Sequence, residues 1–432
     1  MTTLKRRTAV PLAAALLVLA LPRLAAAQDE LSAGDTSWML TSSVLVLFMT
    51  IPGLSLFYAG LVRAKNVLSV MMQCFAITCM VTVLWTVYAY GLAFGDGGSL
   101  NGFIGFGKLF LSGVEGDTLS GTIPESGFQM FQLTFAVITP ALMVGAFAER
   151  MKFTAFVIFI VAWVTIVYAP VAHWVWASDG WLGELGTLDF AGGTVVHINS
   201  GVAALAAALI FGRRLGFGER AMTAHNVPFV VLGAALLWFG WFGFNAGSAL
   251  AADGTAVNAF VVTNVATAAS VITWVAMSWI FGARPSVVGA ASGAVAGLVA
   301  ITPAAGFVGA MPAIIIGVGA GAICYGAIEL LRKLRVDDAL AVCGVHGIGG
   351  TWGALATGLF VGIGFGSLAE GVTRGQQILL QLIGIGATWA WAFIVTAIIL
   401  LAIKYTIGLR VSEEEEAIGL DASQHGEITY IG

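Results

Sequence analysis

Apolar residues along this chain fall in runs of about twenty, separated by short polar segments. A helix rising 1.5 Å per residue needs about 20 such residues to cross roughly 30 Å of hydrocarbon. The pattern therefore predicts an all-α integral membrane protein with eleven transmembrane helices in a lipid bilayer. We place the spans at 37–61, 66–94, 127–148, 153–176, 192–212, 226–250, 257–281, 286–304, 308–331, 339–362 and 376–408.

The first residues follow a different pattern. Basic residues at positions 5–7 precede an apolar run, 9–21, which is too short to span a membrane. Three alanines at 25–27 then form a small-residue cleavage site. We interpret residues 1–27 as a signal peptide, which places the mature N-terminus outside. The alternative is an uncleaved twelfth span, but a proline and an arginine at 22–23 follow the apolar run too closely for one.

Composition agrees with a membrane protein. Charged residues make up 10% of the chain and hydrophobic residues 59%, whereas about a quarter of a soluble domain is charged. The cysteines lie in apolar stretches without the spacing of a metal site, so we expect all of them to be small buried hydrophobes. They are Cys74, Cys79, Cys324 and Cys343.

Basic residues test the number of spans and their orientation. With the N-terminus outside, thirteen Lys and Arg residues lie on the inner side and only Lys108 and Arg374 on the outer side. This strong positive-inside bias supports both the span count and the orientation. The inner residues are Arg63, Lys65, Arg150, Lys152, Arg213, Arg214, Arg220, Arg284, Arg332, Lys333, Arg335, Lys404 and Arg410.

An odd number of spans divides the mature chain into a membrane domain and a cytoplasmic tail. We assign 28–407 to the eleven-span domain and 408–432 to the tail. The tail contains an acidic run, 413–416, which is typical of a solvated segment.

Spans five and ten begin with matching sequences. Asp189 precedes His197 by eight residues and Asp338 precedes His346 by eight, with Val directly before each histidine. Five spans separate the two segments, so they enter the membrane from opposite sides. This arrangement predicts an inverted repeat of five plus five spans, followed by a C-terminal helix, with a site near the midplane.

The two histidines are the strongest functional candidates. Each lies about 12 Å along its helix, at a depth where ionisable groups are costly and usually face a cavity or a partner. A neutral imidazole both donates and accepts a hydrogen bond, so His197 and His346 suit a pore for a small polar molecule. We expect ordinary surface roles for His173, His225 and His425.

Asp189 and Asp338 have two interpretations. Both lie where a helix begins, and aspartate is a favoured N-cap that also suits the positive end of a helix. The alternative is that each holds a loop near the mouth of the pore.

Several motifs resemble the ammonium transporter family, the Amt/Mep/Rh proteins, and its bacterial Amt members in particular. The resemblance runs from about residue 38 to 430. Its motifs are FYAGLVR at 57–63, DFAGGTVVHIN at 189–199, WFGFNAGS at 241–248 and GVHG at 344–347. His197 and His346 match the family's twin pore histidines.

The resemblance implies ammonium transport through a pore in each subunit of a homotrimer in the inner (plasma) membrane. Phe131, Trp176 and Ser248 match the outer ammonium-recruitment site, although Trp174 and Trp181 lie close to Trp176 in sequence. Other residues match positions deeper in the pore. They are Phe135 and Phe244 at the gate, and Trp241 and Thr302 along the pore lining.

The resemblance also implies a cytoplasmic PII-type signalling protein as partner, no cofactor and no nucleic acid.

Elementary physics agrees with the pore roles, since aromatic faces attract a cation by about 0.5–2 kcal/mol. Full dehydration of a cation costs far more than such a contact recovers. We therefore expect ammonium to be recruited outside, to lose its proton near the gate and to cross as ammonia along the histidines.

Two other classes of function remain open. An intramembrane metal enzyme needs a third ligand, and no Asp, Glu or Cys accompanies either histidine at metal spacing, so we expect no enzyme. An ammonium sensor that signals through the tail does not exclude transport.

Overall fold

The computed structural model describes residues 30–219 and 222–430, so the predicted signal peptide lies outside the described residues. Within these ranges, nine helices are long and apolar enough to cross a membrane, and two shorter ones, α8 and α10, complete the eleven. The helices are α1 Ala33–Leu61, α2 Ala64–Phe94, α3 Glu125–Phe147, α4 Phe153–Leu185, α5 Gly193–Phe211, α6 Val227–Gly247, α7 Gly254–Ile280, α8 Val287–Ile301, α9 Ala310–Lys333, α10 343–360 and α11 Arg374–Thr406.

The eleven-span architecture predicted from the hydrophobic pattern is confirmed. The largest difference is at the end of α4, predicted at 176 and observed at 185, and the starts of α1 (37 against 33) and α10 (339 against 343) differ by four residues each. Helix α4 has a turn after Trp176, followed by a short helix, Trp181–Leu185. A small hairpin of β1 Leu119–Ser120 and β2 Ile123–Pro124, in which Ser120 pairs with Ile123, precedes α3.

The loops gather at two opposite ends of the bundle. At one end, which we call the Ser248 end, the Phe190 amide donates to the Pro303 carbonyl over 3.2 Å, and the Ala252 amide donates to Asp35 over 2.8 Å. At the other end, which we call the tail end, the Lys152 amide donates to the Leu409 carbonyl over 2.9 Å.

The tail folds back onto the bundle through two short helices, α12 Glu413–Ile418 and α13 Leu420–His425. Glu416 is 1% exposed, accepts from the Leu215 amide over 2.6 Å and pairs with Arg410. Asp421 accepts from the Ser69 amide over 2.7 Å. The expectation of a solvated acidic run is therefore wrong for Glu416, because basic and amide donors on the loops compensate its charge.

Two further residues differ from expectation. His173 is fully buried, with Nδ1 2.9 Å from the Ala93 carbonyl and Nε2 2.5 Å from the Asn101 carbonyl. It therefore ties the loop after α2 to α4 and is not a surface residue. Cys79 is exposed on the outer face of α2, whereas the other three cysteines are buried.

Candidate functional site: a histidine-lined pore

The two predicted pore histidines meet inside the bundle. The Nδ1 atoms of His197 and His346 lie 3.3 Å apart, and the ring centroids are 5.3 Å apart. Both side chains are buried, with 1% and 4% exposure. At this distance one Nδ1 donates a proton to the other, so the pair shares a single hydrogen bond.

Local backbone geometry places both histidines in equivalent positions. His197 lies in a π-helical segment at the start of α5, Gly193–Ile198, and His346 lies in one at the start of α10, Cys343–Gly347. Segments of this kind are frequent at functional sites. They turn the two rings towards each other from helices that enter the bundle from opposite ends.

Two glycines, each four residues after a histidine, bring the helices together. A Cβ on Gly201 would lie 2.0 Å from the Gly347 nitrogen, and a Cβ on Gly350 would lie 2.9 Å from the His197 Cβ. The contact is reciprocal, since each glycine meets the segment carrying the opposite histidine. Both segments carry this pseudo-twofold relationship in the sequence as His-x₃-Gly, a signal that the predictions above did not use.

Asp189 and Asp338 lie at the starts of the histidine helices. Asp189 accepts from the amides of Gly192, Gly193 and Thr194 over 2.6–2.8 Å. Asp338 accepts from the Cys343 amide over 2.7 Å, while its other oxygen has no partner among the described residues. Each carboxylate therefore accepts at least one backbone amide at the start of a histidine helix, although the N-cap positions themselves are Gly192 and Val342.

An aromatic column continues from the histidines towards the Ser248 end. The His197 ring stacks on Trp241, with centroids 5.4 Å apart, and Phe244 stacks on Phe135 at 4.3 Å. The Trp241 indole donates to the Thr302 hydroxyl over 2.9 Å. Thr302 therefore lies behind Trp241, as a support for the indole.

The three predicted recruitment residues come together above this column. A cavity of about 120 Å³ at the Ser248 end is lined by Phe131, Trp176 and Ser248, with Phe135 at its floor. The Trp176 indole donates to the Asp189 carbonyl over 3.0 Å, which ties the cavity wall to the segment that precedes α5.

The two neighbouring tryptophans lie elsewhere. Trp174 donates to the Phe103 carbonyl over 2.8 Å and packs edge-on against Trp181, with centroids 5.8 Å apart. Neither of them lines the recruitment cavity.

The passage below the phenylalanine pair is closed. A cavity of about 10 Å³ touches Phe244, Trp241 and both histidines, and otherwise apolar side chains and Tyr58 line it. That volume is about the size of one water molecule, so the part of the chain that the structure describes offers no continuous water-filled path past the histidines.

A network of largely buried ion pairs lies at the tail end of the bundle. The Arg150 and Arg214 guanidinium groups donate to Asp337 over 2.9 and 2.8 Å, and Arg63 donates to Glu149 over 2.7 Å. Burial lowers the pKa of Arg150 to about 10, partly offset by the charge of Asp337. Burial alone would raise the pKa of Asp337, but hydrogen bonds and charge from Arg214, with the charge of Arg150, lower it. The distribution of basic residues predicted these arginines on the inner side of the membrane, but it carries no information on their carboxylate partners.

Possible metal ligands do not gather at this site. Within 30–219 and 222–430, no group of three His, Cys, Asp or Glu side chains is arranged to hold a metal ion.

Comparisons with known proteins agree with this architecture. The family model of the Ammonium Transporter Family matches residues 37–430. The chain is 50% identical over 401 residues to the ammonium transporter of Bacillus subtilis (strain 168), covering 92% of this chain and 98% of that one. It is 46% identical over 402 residues to Amt1 of Archaeoglobus fulgidus, covering 93% and 100%.

Solved structures share the fold. Saccharomyces cerevisiae Mep2 superimposes with a TM-score of 0.82 at 38% identity, covering 89% of this chain and 91% of that one. A sensor Amt protein superimposes with a TM-score of 0.85 at 30% identity, covering 90% and 98%. The chain therefore belongs to the Ammonium Transporter Family.

Proposed function

We propose that this chain carries ammonium nitrogen across the membrane through the column that joins the Ser248-end cavity to His197 and His346. One observation carries the proposal: a buried, mutually hydrogen-bonded imidazole pair ends an aromatic column whose other end opens into a polar-edged cavity. Ionisable groups at such depth are rare outside transport pathways and ligand sites.

Recruitment takes place at Phe131, Trp176 and Ser248. The Ser248 hydroxyl donates to the Phe244 carbonyl over 2.9 Å, so its oxygen lone pairs are free to accept an N–H from ammonium. The aromatic faces add a favourable cation–π contribution of about 0.5–2 kcal/mol. Phe131 and Trp176 therefore favour the charged form at the entrance.

Passage requires the ion to lose its proton. The Phe135 and Phe244 rings, stacked at 4.3 Å, leave no room for a hydrated ion. The desolvation free energy of neutral ammonia in such a passage is far smaller than that of ammonium. Water in the Ser248-end cavity of about 120 Å³ accepts the proton before the gate, and ammonia moves past Trp241 to the histidines.

The histidine pair offers ammonia a polar partner inside an apolar passage. His197 Nε2 is buried and has no hydrogen-bond partner among the described residues. A ring whose Nδ1 accepts from His346 carries its proton on Nε2, which then donates to the ammonia lone pair. Ammonia is protonated again beyond the pair, at the tail end.

Orientation and assembly complete the proposal. Residues 1–27 are removed as a signal peptide, the Ser248 end faces outwards and the 408–432 tail is cytoplasmic. The positive-inside bias supports this orientation in a cell inner membrane. The chain assembles as a homotrimer with one pore per subunit, as the family resemblance implies.

A PII-type signalling protein is the proposed cytoplasmic partner. The tail supports this assignment, because its helices α12 and α13 lie against loops beside the tail-end cavity of about 370 Å³ that Arg214, Asp337 and Asp338 line. Removal of residues 412–432 should abolish co-purification of the partner. Unaltered co-purification would contradict a tail-dependent partner.

Transport is tested by following ammonium depletion in bacterial cells that lack their own ammonium transporters. We expect saturable uptake in cells producing this chain and none in cells with an empty vector. Equal depletion in both would overturn the proposal.

A further inference from the structure

A wide vestibule leads to the recruitment cavity at the Ser248 end. It has a volume of about 720 Å³ and shares Phe128, Trp176 and Leu250 with the recruitment cavity of about 120 Å³. The two cavities therefore adjoin, and an ion in the vestibule lies next to the recruitment cavity.

The vestibule is charged. Among the described residues, its lining contains three carboxylates, from Asp96, Glu125 and Asp179, and one ammonium group, from Lys108, which together give a net charge of −2. Carboxylates on the walls of a cleft raise the local concentration of cations and their rate of capture. Lys108 is the one basic side chain among these described lining residues, and it opposes that effect.

Lys108 is fixed against one of the three carboxylates. Its Nζ atom contacts Glu125 Oε1 and lies 5.5 Å from the centroid of the Tyr90 ring. The Tyr90 hydroxyl donates to the same Glu125 oxygen over 2.8 Å. The Lys108 side chain is 26% exposed and that of Glu125 14% exposed, so the pair is shielded from solvent more than a surface pair would be.

The backbone holds Lys108 in this position. A Cβ on Gly91 would lie 1.9 Å from the Gly107 carbonyl oxygen, so only glycine allows the loop to lie directly on α2. The Gly105 amide donates to the Leu92 carbonyl over 2.8 Å. Lys108 itself has a left-handed backbone, with φ of 49°, which is uncommon for a lysine.

We propose that Lys108 sets the strength with which the vestibule attracts cations, by neutralising Glu125 in front of the recruitment cavity. It is a positioning residue, since it acts on the field along the entry path and not through contact at Ser248. This inference rests on the proposed transport of ammonium inwards from the Ser248 end. It predicts that the KM for ammonium follows the net charge of the vestibule.

The test measures ammonium depletion by intact cells that lack their own ammonium transporters. In intact cells only the outer face of the protein meets the medium. Lys108→Gln removes the positive charge and Glu125→Gln removes the negative one, while the double variant restores the net charge of −2. Lys108→Arg keeps the charge and serves as the matched control. Amounts of each variant in the membrane are measured by immunoblotting.

We expect Lys108→Gln to lower KM about two- to threefold, as one charge about 8 Å away in water implies, with little change in maximal rate. Glu125→Gln should raise KM by a similar factor. The double variant and Lys108→Arg should both return KM to the wild-type value. The differences should be large at about 0.01 M ionic strength and shrink at about 0.15 M, because salt screens exposed charges.

A structural role for the ion pair gives a different result. The inference is overturned if both single variants lose uptake and the double variant loses more. It is also overturned if KM for ammonium is unchanged in all of the variants. If cells producing the wild-type chain deplete no ammonium, the proposed function fails. That result differs from normal uptake whose KM does not change with the charge of the vestibule.

Discussion

His197 Nδ1 and His346 Nδ1 face each other across 3.3 Å inside the bundle. Two protonated Nδ1 atoms at this distance would repel each other, so one ring donates and the other accepts. The tautomer of one ring therefore fixes the tautomer of the other, because only one of the two Nδ1 atoms carries the shared proton. Removing one ring changes both the polarity of the passage and the hydrogen bonding of its neighbour.

Replacing His197 by Asp tests the role of the pair. The carboxylate adds a fixed negative charge beside His346, which favours a cation over neutral ammonia. We expect ammonium uptake to fall at least tenfold, or its selectivity over potassium to fall, when both are measured in the same vesicles. His225→Gln, at the start of α6 and outside the pore, should leave both unchanged. Unaltered uptake and selectivity in His197→Asp would contradict a central role for the pair.

Gly350→Ala tests the helix crossing that sets the histidine positions. The added Cβ would lie 2.9 Å from the His197 Cβ, so α5 and α10 must shift. Overpacking of this kind costs about 1–3 kcal/mol, and a displacement of about 1 Å reduces function up to about 100-fold. We expect a clear fall in uptake with a folded protein. Gly386→Ala is the control, because a Cβ there meets nothing within 4 Å; equal uptake by the two variants would contradict the prediction.

Asp337→Ala tests the buried charges at the tail end. It leaves the guanidinium groups of Arg150 and Arg214 buried without their shared carboxylate, and breaking a buried pair in this way costs about 3–5 kcal/mol. We expect a marked fall in the thermal unfolding temperature of the detergent-solubilised protein. Glu329→Ala removes an exposed partner of Arg332 and should change stability by less than about 1 kcal/mol. A similar shift in both variants would count against the network.

Glu416→Ala tests the docking of the tail. The variant removes the partner of Arg410 and the acceptor of the Leu215 amide. We expect faster hydrogen exchange across α12 and α13 while the membrane helices keep their protection. Glu414→Ala is the control, because that side chain is exposed. Identical exchange in the two variants would show that Glu416 does not hold the tail.

The sequence predicted the spans well because the membrane imposes a strong pattern. Runs of about twenty apolar residues and the distribution of basic residues are one-dimensional signals, and they depend little on which helices touch. His197 and His346 could also be found this way, because depth and repeat position are both readable along the chain.

Contacts between residues that are far apart in the chain could not be predicted from the sequence. The expectation of an ordinary surface role for His173 was wrong, because its two carbonyl partners come from the end of α2 and the loop after it, 80 and 72 residues earlier in the chain. Glu416 looked like part of a solvated run because its partners lie about 200 residues earlier and on the loop before α12. Lys108 and Glu125 are close in sequence, but only the loop backbone brings them into one cavity.

Reconstitution in liposomes distinguishes transport of ammonium from binding alone. The protein is reconstituted in liposomes, and both the current and the internal pH are followed after an ammonium pulse, with potassium at equal concentration as control. We predict a saturable response to ammonium, as current or as internal alkalinisation, that is absent with potassium. Neither signal from correctly folded protein would contradict transport and favour a sensor that binds ammonium without carrying it.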